Sequence, residues 1–194
     1  MGAADHYERV HPGTREEWRA WLDANRAESP GVWLISWKKA SGRAPIGYDA
    51  TVEEALCVGW VDSLVRRLDE ERSMLLFTPR RPTSRWSRPN KDRVARLIAA
   101  GRMAPAGLAL VDEAKRSGTW TALDDVENLL VPEDLRAALD RHPGAAAHWE
   151  AFLRSARRGI LEWILDAKRP ATRARRIEET ASLAARGERA NRWR

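Results

Sequence analysis

Every strand-like pattern in this chain lies before residue 80, and every apolar pattern after residue 90 has helical spacing. Val32-Trp33-Leu34-Ile35-Ser36-Trp37-Lys38 predicts a strand, with Trp33, Ile35 and Trp37 on its apolar face. Residues 61–68 and 73–78 predict two more, antiparallel and joined by the charged turn Asp69-Glu70-Glu71-Arg72. Further on, Leu135 and Leu139, then Trp149, Phe152 and Leu153, then Ile160, Leu161, Ile164 and Leu165 recur at the spacing of one helix face. Strands early and helices late specify an α+β fold. The expected architecture is a small antiparallel sheet of about three strands with helices in a first lobe, followed by an all-helical C-terminal lobe. A chain of 194 residues has room for one good core and a smaller helical appendage, with the boundary placed between residues 125 and 126.

Capping signals set the helix starts. Thr14 and Glu17 form a capping box ahead of Trp18, Trp21 and Leu22, predicting a helix over 15–26; Thr51 and Glu54 form a second, ahead of Ala55, Leu56 and Val58, ending near Gly59. Asn90 is the expected cap of a helix carrying Val94, Leu97 and Ile98, and Pro105 opens one that buries Leu108 and Val111 and stops at Gly118. Pro132, Pro143 and Pro170 open later helices. Trp149, Phe152, Trp163 and Ile164 are expected to dock the helical lobe on the first, whereas residues 1–14 read as a loose terminus and 188–194 as a frayed tail.

Several chemistries are excluded by what the chain lacks. Cys57 is the single cysteine, set among apolar neighbours, so no intrachain disulfide forms and a reducing compartment fits. The four histidines have no metal-ligand spacing, and the chain has no phosphate loop, dinucleotide-binding glycine pattern or Gly-x-Ser-x-Gly elbow. No metal or cofactor is expected. No apolar run reaches membrane-spanning length and residues 1–14 carry no apolar leader, so a soluble cytoplasmic protein with no transmembrane segment is expected.

Charge is unevenly placed. Residues 1–79, 80–102, 103–167 and 168–194 carry −3, +7, −4 and +6, which makes two basic blocks against a mildly acidic body. Such blocks attract phosphates, nucleic acid or acidic lipid, but 29 Arg against 5 Lys is also what a GC-rich genome produces.

The candidate chemistry gathers in residues 59–90, where Gly59-Trp60-Val61-Asp62-Ser63 leads through the hairpin to Phe77-Thr78-Pro79-Arg80-Arg81-Pro82-Thr83-Ser84-Arg85-Trp86-Ser87-Arg88-Pro89-Asn90. Asp62 has the parity of Leu64 and Leu68, which aims its carboxylate at the buried face, where it needs a partner such as Arg80, Arg81 or Arg85. Held in a cleft, it is an orienting acceptor or a base; otherwise it pins the loop to the hairpin. Guanidinium forks, the Trp60 and Trp86 indoles, the hydroxyls of Ser84 and Ser87 and the amide of Asn90 suit an anionic or flat ligand. The alternative is a loop packed on the core, with the serines making turn hydrogen bonds. A second constellation, Lys168, Arg169, Thr172, Arg173, Arg175 and Arg176, begins the last helix, with Arg169, Arg173 and Arg176 on one face. Cations there oppose the helix dipole and call for an anion, either Asp62 or another first-lobe carboxylate, or a ligand.

The motifs of residues 59–90, followed by Ala167-Lys168-Arg169-Pro170-Ala171-Thr172-Arg173-Ala174-Arg175-Arg176-Ile177, resemble the bacterial YdeI/OmpD-associated family, also called the bacteriocin-protection family, over about residues 18–187. The resemblance implies a binding or protection protein tied to resistance against antimicrobial peptides or stress, with an Arg/Trp-lined cleft between the lobes. Two other readings stay open: an enzyme on a small anionic substrate with Asp62 as acid or base, and a nucleic-acid-binding module, which has basic blocks but no recognised nucleic-acid motif.

Overall fold

The computed structural model describes residues 6–191. The chain divides into two compact units, Met1–Thr121 and Ala122–Arg194, a few residues before the expected boundary.

The first unit holds all four strands found among the described residues: β1 (Glu8–Val10), β2 (Val32–Trp37), β3 (Trp60–Arg67) and β4 (Arg72–Pro79). Their order is β1-β2-β4-β3, with β1 parallel to β2 and the other pairs antiparallel. The sheet is therefore mixed. Its extra strand comes from the terminus read as loose, because the backbone of residues 8–10 finds an open edge beside residues 32–34.

In β2, residues 32–35 are buried on both faces. Val32 and Leu34 join Phe77 and Trp60 in the main core, while Trp33 and Ile35 form a smaller cluster with Met74 and Leu76 on the opposite face. The alternation was right, but the face it marked covers the lesser cluster. In β3, Asp62 pairs with Phe77 and Val65 with Leu75, so one extra residue bulges between them. The bulge resets the parity: Val65, not Leu64, follows Asp62 on its face, and Leu68 packs with the opposite cluster.

Helix α1 (Arg15–Asn25) begins as its capping box predicts, with the Thr14 hydroxyl accepting from the Glu17 N–H at 3.2 Å. Trp18 and Leu22 are completely buried against the sheet, and Trp21 stacks on Trp18. Helix α2 (Tyr48–Cys57) starts three residues before the expected box. Gly47 caps it, Thr51 donates back to the Tyr48 carbonyl at 2.8 Å, and Glu54 is taken up by arginines instead of the helix end. Gly59 ends this segment at φ 83°, where a Cβ would also strike Leu110.

Helix α3 (Arg88–Ala99) carries Pro89 in its first turn, so Asn90 lies inside the helix rather than capping it. Val94 and Leu97 are buried and Ile98 is exposed; in α4 (Pro105–Ser117) Val111 is buried and Leu108 is exposed. Gly107 lets α4 touch α2, since a Cβ there would lie 2.3 Å from the Cys57 carbonyl oxygen.

The second unit contains α5 (Asp124–Glu127), α6 (Glu133–Arg141), α7 (Ala145–Ala151), α8 (Arg154–Leu165) and α9 (Pro170–Ala185), and no strand among the described residues. Leu135, Trp149, Ile160, Ile164, Ile177 and Ala181 form its core. Trp149 and Ile164 are members of that core, and Phe152 and Trp163 pack against it. Those four side chains hold their own unit together. No helix among the described residues is long and apolar enough to cross a membrane.

Candidate ligand-binding site

Register builds the site in the first unit. Trp60 stands opposite Pro79, and the Arg80 N–H donates to the Gly59 carbonyl at 3.0 Å, so the start of β3 and the end of β4 are tied where the arginine-rich loop begins. Trp60 and Trp86 are both buried in the main core. Trp60 meets Trp21 edge-on, and Trp86 leans on Trp120 with ring centres 5.0 Å apart.

Arg80 is the unusual member. It is 6 % exposed, with its guanidinium 3.7 Å from the centre of the Trp86 ring. Nη2 donates to the Arg85 carbonyl at 2.6 Å, while Nε and Nη1 are buried and find no acceptor among the described residues. Burial pulls its pKa down to about 10, against the attraction of Asp62. A buried charge with open hydrogen-bonding positions is costly unless something completes it.

Asp62 takes a different partner from the arginines expected of it. The Tyr48 hydroxyl donates to its Oδ2 at 2.8 Å, and Asp62 acts on Arg80 only through its charge. Burial, with the hydrogen bond and charge of Asp62 added, pushes the Tyr48 pKa up to about 12, so Tyr48 is a donor at neutral pH. Arg93 lies over the Tyr48 ring at 5.7 Å, donating through Nη2 to Asp49 at 2.5 Å and through Nη1 to Asn90 at 2.9 Å. Asn90 thus enters the site as a support for Arg93. Ser84 donates its N–H to the Arg81 carbonyl in a turn, Ser87 precedes α3 without a side-chain cap bond, and Arg81 is exposed.

Beside Tyr48, a groove of about 270 Å³ runs between residues 45–48 and the sheet. Leu34, Leu75 and Val65 line it from the strands, and Pro45, Ile46 and Tyr48 from the other side. Neither Tyr48 nor Arg93 was expected here. Tyr48 reaches Asp62 only because α2 crosses the sheet, and no spacing in the chain announces that.

Sequence reasoning also missed an ionic cluster. Glu54, 3 % exposed, receives Arg15 and Arg102 on Oε1 and Arg19 at 3.1 Å on Oε2. Neighbouring Glu53 takes Arg15 at 2.7 Å and Arg96 at 3.5 Å. The recess beside it is lined by Arg15, Arg19 and Arg102 but also by Glu16, Asp23 and Glu54, a balanced set suited to holding α1 and α2 together. The signal was Glu54 itself, a charge next to Ala55-Leu56-Cys57-Val58 that needs a partner. Burial, and next Glu54, raise the Cys57 thiol pKa, which leaves it an inert core group.

In the second unit, the basic face of α9 has an anion of its own. Arg173 donates to both oxygens of Asp134, at 2.7 and 3.0 Å, and holds that carboxyl below its usual pKa. For Arg173, the anion expected from Asp62, another first-lobe carboxylate or a ligand is Asp134 on α6. Arg176 lies 4.9 Å over Trp163 and donates to the Trp163 carbonyl, Thr172 is half-buried, and Lys168 is exposed. Trp60, Asp62, Arg80, Trp86 and Asn90 thus lie in the first unit, while Arg173 and Arg176 find partners within the second. No group of three or more His, Cys, Asp or Glu among the described residues is arranged to hold a metal.

Residues 10–110 match the family described as Domain of unknown function (DUF8412). Residues 128–187 match the family described as Bacteriocin-protection, YdeI or OmpD-Associated, a narrower span than the resemblance drawn from the motifs. No curated protein and no solved structure is significantly similar to the chain. With more than half its length matched by the first family, the chain belongs to the family of the Domain of unknown function (DUF8412), and it carries a YdeI/OmpD-associated segment in its second unit.

Proposed function

We propose that this is a ligand-binding protein whose first unit takes a small, flat ligand bearing an anionic oxygen. Arg80 carries the reading: its guanidinium is buried on the face of Trp86 with Nε and Nη1 unaccepted, and Asp62 acts on it through charge. A chain with no use for that charge is better served by an apolar residue, because replacing buried ions by hydrophobes is often neutral or stabilising. Both donors are covered by protein, so the ligand enters as the loop over residues 81–85 lifts while Trp86 stays in the core. Arg80 then supplies hydrogen bonds and charge, Trp86 a stacking surface, and Asp62 with Tyr48 a fixed edge. Arg81 and Ser84 sit on the part that moves, and Ser87 beside it at the start of α3. The description of the segment at 128–187 extends the reading to protection against antimicrobial peptides or stress.

Nucleic-acid binding is the weaker reading, because much of the basic charge is spent inside the chain: Arg93 on Asp49, Arg96 on Glu53, Arg102 on Glu54 and Arg173 on Asp134.

Calorimetric titration with 2-naphthoate and 2-naphthalenemethanol tests the proposal. Saturable binding of the acid, weaker binding of the alcohol, and loss of both in Trp86→Leu are expected. Equal binding of acid and alcohol, or no binding of either, refutes it.

A further inference from the structure

We propose that the groove beside Tyr48 is a second binding site, and that it takes a small apolar molecule whose one polar group is an uncharged carbonyl. The inference does not rest on Arg80 or Trp86, neither of which lines this groove.

The register of the sheet builds the floor. Leu34 stands opposite Leu75 and Ser36 opposite Ser73, and alternation along the strands puts these four side chains on one face. Val65, opposite Leu75 on β3, continues the apolar row. Pro45, Ile46 and Tyr48 close the other side and leave about 270 Å³, just below the range of about 300–1,000 Å³ typical of drug-sized sites. A single ring or a short chain fits that space. Val65 and Tyr48 are 72 % and 54 % exposed at its rim, and an apolar occupant would cover them.

The polar group follows from the hydrogen-bonding positions left open. The Thr51 hydroxyl donates to the Tyr48 carbonyl and the Tyr48 hydroxyl to Asp62, so both are used within the protein. Ser36 and Ser73 differ, because both line the groove and neither hydroxyl has a hydrogen-bond partner among the described residues. Directly opposed residues of an antiparallel pair have Cβ atoms about 4.5–5.5 Å apart, which lets two hydroxyls converge on one oxygen. A carbonyl oxygen has the two lone pairs to receive them.

Charge is what the groove lacks. None of its lining residues is charged. Arg43 and Arg72 lie over the Trp37 ring, 4.2 and 5.6 Å from its centre, but neither is among the lining residues, and Arg72 is held by Asp69 at 2.6 Å. Arg67, opposite Ser73 on β3, is drawn away to Glu70 and the Asp69 carbonyl. Asp62 also stands outside the lining. An ammonium or a carboxylate entering the groove would give up water without meeting an opposite charge, which is costly, whereas a carbonyl gives up less and meets two open donors.

The test is an NMR titration of the ¹⁵N-labelled chain with cyclohexanone, cyclohexylamine and cyclohexanecarboxylate at about pH 7. Saturable binding of the ketone in the millimolar range is expected for a ligand of this size, with shifts at Ser36, Ile46, Val65 and Ser73. The two charged molecules should bind in the groove about tenfold more weakly. Ser36→Ala and Ser73→Ala should each weaken the ketone about fivefold, the net scale of one hydrogen bond, while Ser73→Thr, which keeps a hydroxyl on a residue suited to a strand, should retain it. Amine or carboxylate shifting the groove as tightly as the ketone, an unchanged ketone affinity in both alanine variants, ketone shifts confined to other parts of the chain, or no saturation would each overturn the assignment.

Discussion

Replacing Glu54 by Gln removes the one negative charge on which Arg15, Arg19 and Arg102 converge, and the first unit should lose much of its stability. Breaking a fully buried ion pair from one side costs about 3–5 kcal/mol. The Glu54 side chain is 4 % exposed, but its three arginines are 31, 28 and 38 % exposed and can turn partly to water. Discounting for that relief leaves a loss of roughly 2–3 kcal/mol. Spread over a unit of this size, each kcal/mol lowers the melting temperature by about 3–5 °C, so the variant should melt about 6–15 °C lower. Urea denaturation followed by tryptophan emission, with calorimetry to separate the two units, measures the change. Arg102→Met should cost less, and the double change with Glu54→Gln should cost clearly less than the sum, because the two share one interaction. The effect should persist in concentrated salt, since a buried cluster is poorly screened. A loss within about 0.5 kcal/mol, the scale of ordinary surface substitutions, would show that these arginines are held elsewhere and refute the argument.

Arg80→Met should keep or raise stability by about 1 kcal/mol in urea denaturation, since it removes a buried charge with open donors, while abolishing naphthoate binding. A drop of more than about 2 kcal/mol would mark Arg80 as a structural residue. Gly107→Ala should cost about 2–3 kcal/mol or shift α4 visibly, because the new methyl meets the backbone of Cys57 and not a yielding side chain; melting temperature reads it. The Asp134 carboxyl, held below its usual pKa first by its hydrogen bonds with Arg173, contributes stability above its unfolded value of about 3.9 and loses it as pH falls through the lower folded value. The wild type should therefore exceed Asp134→Asn slightly at neutral pH and the gap should close below about pH 4, as melts at several pH values would show; a gap that stays constant in acid would contradict the linkage.

The chain by itself determined the elements that rest on neighbours in sequence. Thr14 and Glu17 set the start of α1, period-two alternation marked β2 and the hairpin, and Pro105, Pro132 and Pro170 marked the starts of α4, α6 and α9, because caps, alternation and proline geometry act over a turn or less. The burial of Trp60 and Trp86 was legible too, because Trp60 leads from Gly59 into a strand and Trp86 is the one large apolar group of its loop. What crosses the chain was not. The parallel strand β1 exists only once β2 offers an edge, and the bulge in β3 inverted the parity that placed Leu64 beside Asp62. Tyr48, fourteen residues from Asp62, and Glu54, more than thirty from Arg15, became partners when α2 packed against both α1 and β3. A second capping box was read at Thr51 and Glu54 because local spacing permits it; tertiary packing overruled it, since a buried carboxylate gains more from three guanidiniums than from a helix end. The same holds for Arg173, whose need for an anion was visible in the chain, while only the packing of α9 on α6 decided that Asp134 would meet it.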